Sequence, residues 1–212
     1  MILDETLRLA TTVIWGVLGA ALAPLVHKAI IALPARSALA ADSKPSAGPR
    51  LLVTALALAC SFAWLAWRHG PGWVTIVHSA YAVIFVIIVG IDLDHRLILN
   101  RVIAPAAIFA LLVAPTLPDM SLLRAIVGAV AGFVLLLLPA LVRPGGLGGG
   151  DVKLAGFLGL AAGFPAILTA LATGIILGGV VTLVLLLTRR VGRRDYIPYG
   201  PFLIAGAILV FV

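Results

Sequence analysis

Charge is scarce in this sequence. Of 212 residues only 11% are Asp, Glu, Lys or Arg, against 63% hydrophobic residues and a mean hydropathy of +1.22. So little charge excludes a soluble globule built around one core. Cysteine is scarcer still: Cys60 stands alone, which excludes an internal disulfide and any CxxC pair for zinc. Set in ALALACSFAWLAW, it reads as a small buried apolar residue. Runs of period-2 alternation are missing, which excludes a membrane barrel and leaves the helix as the element that satisfies its own backbone in lipid. No Walker pattern accompanies the glycines near residue 150, so a phosphate loop is not indicated. No basic segment precedes the first apolar run, whose flank MILDETLR is acidic, so no cleavable signal peptide is expected.

What is present is a series of apolar runs, at about 9–33, 51–67, 73–91, 102–117, 121–142, 152–163, 165–188 and 197–212. A hydrocarbon core of about 30 Å takes roughly 20 residues of helix. The runs therefore predict an all-α, polytopic membrane protein of about eight transmembrane helices, some of them short. The run from Val152 stops at Gly163 ahead of Phe164 and Pro165, and the last closes at Val212. A single membrane-embedded domain over 1–212 is expected. Residues 34–50, PARSALAADSKPSAGPR, form its longest polar stretch, a short cytoplasmic connector with no core of its own.

Lys and Arg set the orientation. With the N-terminus outside, twelve of the fifteen fall inside: Lys28, Arg36, Lys44, Arg50, Arg96, Arg101, Arg143, Lys153, Arg189, Arg190, Arg193 and Arg194. Arg8, Arg68 and Arg124 remain outside. The net charge of +7 thus describes topology and contact with anionic lipid at the cytoplasmic face, and gives no argument for nucleic acid. Trp64, Trp67 and Trp73 flank the turn RHGPG as an interfacial belt. Gly174, Gly178 and Gly179 are spaced for close helix packing.

Eight acids remain to be placed. Asp4, Glu5, Asp42, Asp119 and Asp195 fall in termini, turns and loops. Asp92, Asp94 and Asp151 instead fall at inner ends of spans, and two intervening helices return the chain from Asp92 to the face where Asp151 lies. Asp92 and Asp94, two apart, point about 200° from each other on a helix, so only one faces a given partner; spacing does not choose. Asp151 follows Gly145, Gly146, Gly148, Gly149 and Gly150, a backbone open to close approach by an extended chain. It stands where a helix begins, and where the dipole favours negative charge; as an ordinary N-cap it would need no further role.

Two carboxylates from separate helices at one depth suggest aspartyl hydrolysis. They share a proton, one acting as base on a water and the other as acid toward the carbonyl oxygen. Ionisable groups in a membrane cost about 2.5–3.5 kcal/mol at helix centres, which makes them functional candidates by default. The competing class is a small ion- or proton-coupled transporter using Asp92 and Asp151. That class calls for charges at the midplane, repeats and broken helices; these acids lie at span ends, and no repeat is visible. An acyl- or phosphotransferase would want paired basic residues beside the glycines, where only Arg143 and Lys153 stand. His27, His78 and His95 show no metal-ligand pattern and read as structural or interfacial residues.

Three segments carry a resemblance. IDLDHRLILN at 91–100 resembles the first motif of type IV prepilin peptidases, GGGDVKL at 148–154 their GxGD motif, and YIPYGPFLIAGA at 196–207 their proline-aromatic-glycine-proline-phenylalanine signature. The match spans about 85–207, in the family's order. The resemblance implies catalysis by Asp92 and Asp151, with Asp94, Gly148, Gly150 and Lys153 supporting. Asp94 would pair with Arg96 or cap a turn, and Lys153 would orient Asp151 or meet substrate. It further implies no metal or cofactor, prepilin or pseudopilin substrates of pilus and secretion systems, and a site on the cytoplasmic side of the bacterial inner membrane. Leu99 departs from the family, standing where proline is usual. So does the absence of the two CxxC pairs of many bacterial relatives, which implies a short form with peptidase activity and no methyl transfer.

Overall fold

The structure is a computed structural model that describes residues 2–35, 50–142, 147–190, 192 and 198–211. Most of the 34–50 connector, together with Arg143, Gly145, Gly146 and the first two residues of the YIPYGPF segment, lies outside the described residues. Among those described, every regular element is helical: α1 Ile2–Ala35, α2 Arg50–His69, α3 Trp73–His95, α4 Asn100–Val113, α5 Leu122–Val142, α6 Gly149–Ala162, α7 Ala166–Leu187 and α8 Gly200–Phe211. The protein is thus the all-α, polytopic membrane protein its composition predicts. Five helices, α1, α2, α3, α5 and α7, are long and apolar enough to cross a bilayer. The other three have 14, 14 and 12 residues; at 1.5 Å per residue even the longer pair reach only about 21 Å. Pro24, Pro34, Pro105 and Pro139 lie inside helices, so α1 runs through a residue that would break most helices in water.

The chain divides into two compact units, Met1–His95 and Arg96–Val212. In the first, α1 packs along α2 where a Cβ at Gly19 would lie 2.6 Å from the Leu58 carbonyl oxygen. Leu58, Phe62, Leu65, Val77, Phe85 and Ile88 fill its interior, and Trp15 Nε1 donates to Ser79 Oγ at 3.1 Å. Cys60 is exposed rather than buried, which corrects the reading from sequence. Leu58 and Phe62 define the buried face of α2, and the residue between them points about 200° away from each. The belt tryptophans Trp64, Trp67 and Trp73 are also exposed. His78 does hydrogen-bond, Nδ1 donating to the Val74 carbonyl at 2.8 Å. It is not isolated, however: the His69 ring stacks on it with centroids 5.2 Å apart.

The second unit is built around α6, which packs against α4, α5, α7 and α8. Asp151, Val152, Leu154, Ala155, Phe157, Leu158, Gly159 and Ala161 are all buried, and Lys153 is the one exposed charged residue of this short helix. Its neighbour α5 approaches through small residues four apart. A methyl group at Gly132 would lie 2.5 Å from the Ala155 carbonyl oxygen, and one at Gly159 would fall on the Gly128 carbonyl. This is the small-xxx-small contact by which membrane helices pack. Gly174 and Gly178 give α7 a similar approach to Phe202 and Leu203 of α8, whereas Gly179 faces open space and has no packing role. At the far end of the unit, Arg124 Nε donates to the Phe164 carbonyl at 3.2 Å and Phe164 N donates back to the Arg124 carbonyl at 2.9 Å.

Candidate active site

The IDLDHRLILN segment begins within α3. The helix continues through both acids to His95, so the rotation expected between them is realised. Asp92 is buried at 3% exposure, while Asp94 forms an ion pair with Arg50, the first residue of α2. The sequence offered Arg96 or a turn cap as its partner. Instead Arg96 takes a positive φ of 54°, a helix-ending conformation more usual for glycine or asparagine. Leu99, where the family prefers proline, is the N-cap of α4 with φ −80° and ψ 128°. That φ is within the range a proline ring imposes, so leucine supplies the extended residue without the ring. Its carbonyl receives Val102 N at 2.9 Å and Ile103 N at 3.0 Å, which starts α4.

The glycine segment opens α6. Gly148 is the N-cap, extended at φ −70° and ψ 137°. Asp151 is the third residue of the helix, its N–H on the Gly148 carbonyl at 3.0 Å. It is therefore not the N-cap; it lies in the first turn with only 3% exposure. Gly150 is the position where the absence of a side chain matters, because a Cβ there would lie 2.9 Å from Ile98 Cβ, whereas Gly149 faces nothing within 4 Å. Two residues beyond Asp151, Lys153 Nζ donates to Asn100 Oδ1 at 2.9 Å. Gly150 and Lys153 thus join the tail of the first motif, Ile98 to Asn100, to the flank of the second.

The third motif reaches Asp151 from another side. Tyr199, just before α8, donates its hydroxyl to the Ile175 carbonyl at 3.2 Å, stands edge-on to Phe202 and fits the notch left by Gly178. Its ring also lies within electrostatic reach of Asp151.

Sequence reasoning placed Asn100 in the first motif but missed it as the partner of Lys153, and it missed Arg50 as the partner of Asp94 and the His69–His78 stack. The only available signal was that Arg50 and Asn100 begin helices on the face where the acids were placed.

Buried helix-end carboxylates in a helical, apolar chain define a polytopic membrane protein with a candidate acid site. Comparison with known proteins makes this specific: residues 79–183 match the model of the Type IV leader peptidase family. Both Asp92 and Asp151 lie within the matched segment. The chain is also similar to the "Prepilin leader peptidase/N-methyltransferase" of Bacillus subtilis (strain 168), 32% identical over 73 residues, which cover 34% of this chain and 29% of that protein's length. No solved structure matches the chain.

Proposed function

We propose that the chain is a membrane-embedded aspartyl endopeptidase that removes the leader peptide of type IV prepilin-like proteins at the cytoplasmic face of the bacterial inner membrane. The observation that carries this reading is the burial of Asp92 and Asp151, each 3% exposed, inside the segment shared with the leader peptidases. Carboxylates are withdrawn from water at a cost that function, more than packing, accounts for.

In the proposed reaction the two carboxyl groups share one proton across a water molecule. The ionised one takes a proton from the water as its oxygen attacks the scissile carbonyl, and the other donates its proton to the carbonyl oxygen. The resulting diol collapses as a proton passes to the leaving nitrogen, which breaks the C–N bond and restores the pair. Neither metal nor cofactor is required. A site at the membrane face draws its water directly from the cytoplasm, and the apolar helix of a prepilin or pseudopilin, anchored in the bilayer, holds its cut site at that depth. The excess of Lys and Arg at the same face supports this orientation and contact with anionic lipid. Because the 34–50 connector contains no cysteine, the activity assigned is peptidase alone.

The test is co-expression with a candidate prepilin. Leader removal is compared among the unaltered protein, Asp92→Asn, Asp151→Asn and Asp94→Asn, and mass spectrometry reads whether the new N-terminus is methylated. The first two variants are expected to leave the leader uncut, the third only to slow cutting, and the product to carry a free amine.

A further inference from the structure

The two candidate catalytic acids share a local arrangement. In each case the residue two positions further along the same helix is bound to the first residue of a neighbouring helix: Asp94 to Arg50 at the start of α2, and Lys153 to Asn100 at the start of α4. Two positions turn a helix by about 200°, so a contact at the second residue fixes the direction in which the first one points. Asp94 is well placed for this, its side chain 12% exposed beside an Arg50 side chain at 36%. Asn100 is not used as a cap, since Leu99 holds that position without a side-chain cap bond. Its amide oxygen instead receives the Lys153 ammonium.

We infer that Arg50–Asp94 and Asn100–Lys153 are positioning pairs, each locking the rotation of the helix that presents a catalytic aspartate. The inference rests on the aspartyl reading of Asp92 and Asp151. It gives Asp94 and Lys153 roles through their neighbours, and brings in Arg50 and Asn100, which carry none of the chemistry. Opposite charges meet in one pair and a cation meets an amide oxygen in the other, so each can be restored by a substitution that conserves the contact. An exposed ion pair is worth little as stability. Reaction geometry is less forgiving, because a displacement of about 1 Å at a reacting group can cost about 10²-fold in rate.

Two readouts test this, one of which needs no catalysis. In the first, Arg50→Gln, Asp94→Asn, Lys153→Met and Asn100→Leu each lower kcat by about 10-fold with KM nearly constant, as expected when binding is intact and alignment is disturbed by less than about 1 Å. The charge-reversed pair Arg50→Asp with Asp94→Arg, and Asn100→Asp, which keeps an acceptor for Lys153, recover most of the loss. In the second, a cysteine replaces either exposed Leu93 or buried Ile91 in a Cys60→Ala background. The thiol at 93 reacts readily with a maleimide and that at 91 slowly. Asp94→Asn exposes 91 as the helix turns, and the reversed pair protects it again. Single variants with unchanged kcat, a reversed pair no better than its parents, or a thiol pattern indifferent to Asp94 would overturn the inference. If the thiol pattern responds as expected while Asp92→Asn and Asp151→Asn still cut, the helix lock stands and the aspartyl reading is what falls.

Discussion

Asn at position 151 is expected to leave the prepilin leader uncut, and Asn at position 92 to do the same. The substitution keeps the size and one acceptor of the side chain but can neither take a proton from water nor deliver one. Loss of such a group costs about 10²–10⁴-fold in rate, enough to remove product from a co-expression gel. Because each acid serves through the other, the double variant should be no worse than either single one. Stability is not at issue. Asp151 lies in the first turn of α6, where a negative charge contributes about 0.3–1 kcal/mol through the helix dipole, so the Asn protein should keep nearly the thermal midpoint of its parent in detergent. A loss of cutting accompanied by unfolding would say nothing about chemistry; a loss without it assigns the proton transfer. The decisive comparison is with Asp94→Asn. If that variant alone is dead while Asp92→Asn cuts normally, the acting acid of the first motif is the one now paired with Arg50.

The helices were legible because lipid makes their rules simple: apolar runs bounded by charge, proline and glycine become helices, and all eight expected ones form. Their ends were less so. α1 begins at Ile2, ahead of the apolar run, because the polar DETLR residues carry no signal to stop a helix. Cys60 was misread because hydrophobic runs that face lipid on one side and protein on the other have no polarity difference to mark the two faces. The same uniformity concealed α6 as the hub of its unit. Asp151 was found, as a lone acid after five glycines, but its place as third residue of the helix depends on Gly148 taking the cap. Asp92 could be separated from Asp94 only by the resemblance; in the structure they differ because one is buried and the other is tied to Arg50, 44 residues away in the chain. A contact across that distance leaves no trace in periodicity. Leu99 shows the opposite limit, since its departure from the family's proline leaves the backbone in a conformation proline would adopt.

The Gly128–Gly159 contact should be the least tolerant place in the second unit. α5 and α6 meet there backbone to backbone, and a Cβ at Gly159 would run into the Gly128 carbonyl and lie 2.7 Å from Ala129 Cα. No side chain is available to swing aside; the helices themselves must separate. Overpacking of this kind costs about 1–3 kcal/mol and sometimes more, and in lipid there is little hydrophobic gain to offset a lost close contact between helices. With about 2–4 °C per kcal/mol for a chain of this size, Gly159→Ala should lower the detergent-solubilised midpoint by roughly 3–10 °C, and Gly159→Leu by more. Gly179 is the control, since it is helical, lies in the same unit and meets nothing within 4 Å. There alanine adds helix propensity of about 0.8–1 kcal/mol with no collision, so the midpoint should hold or rise. Because α6 carries Asp151, the Gly159 variants should also lose cutting at temperatures where they remain folded, as the separation of α5 and α6 carries the first turn away from Ile98 and Asn100. Equal midpoints for Gly159→Ala and Gly179→Ala would show that α5 and α6 do not meet as closely as this contact requires.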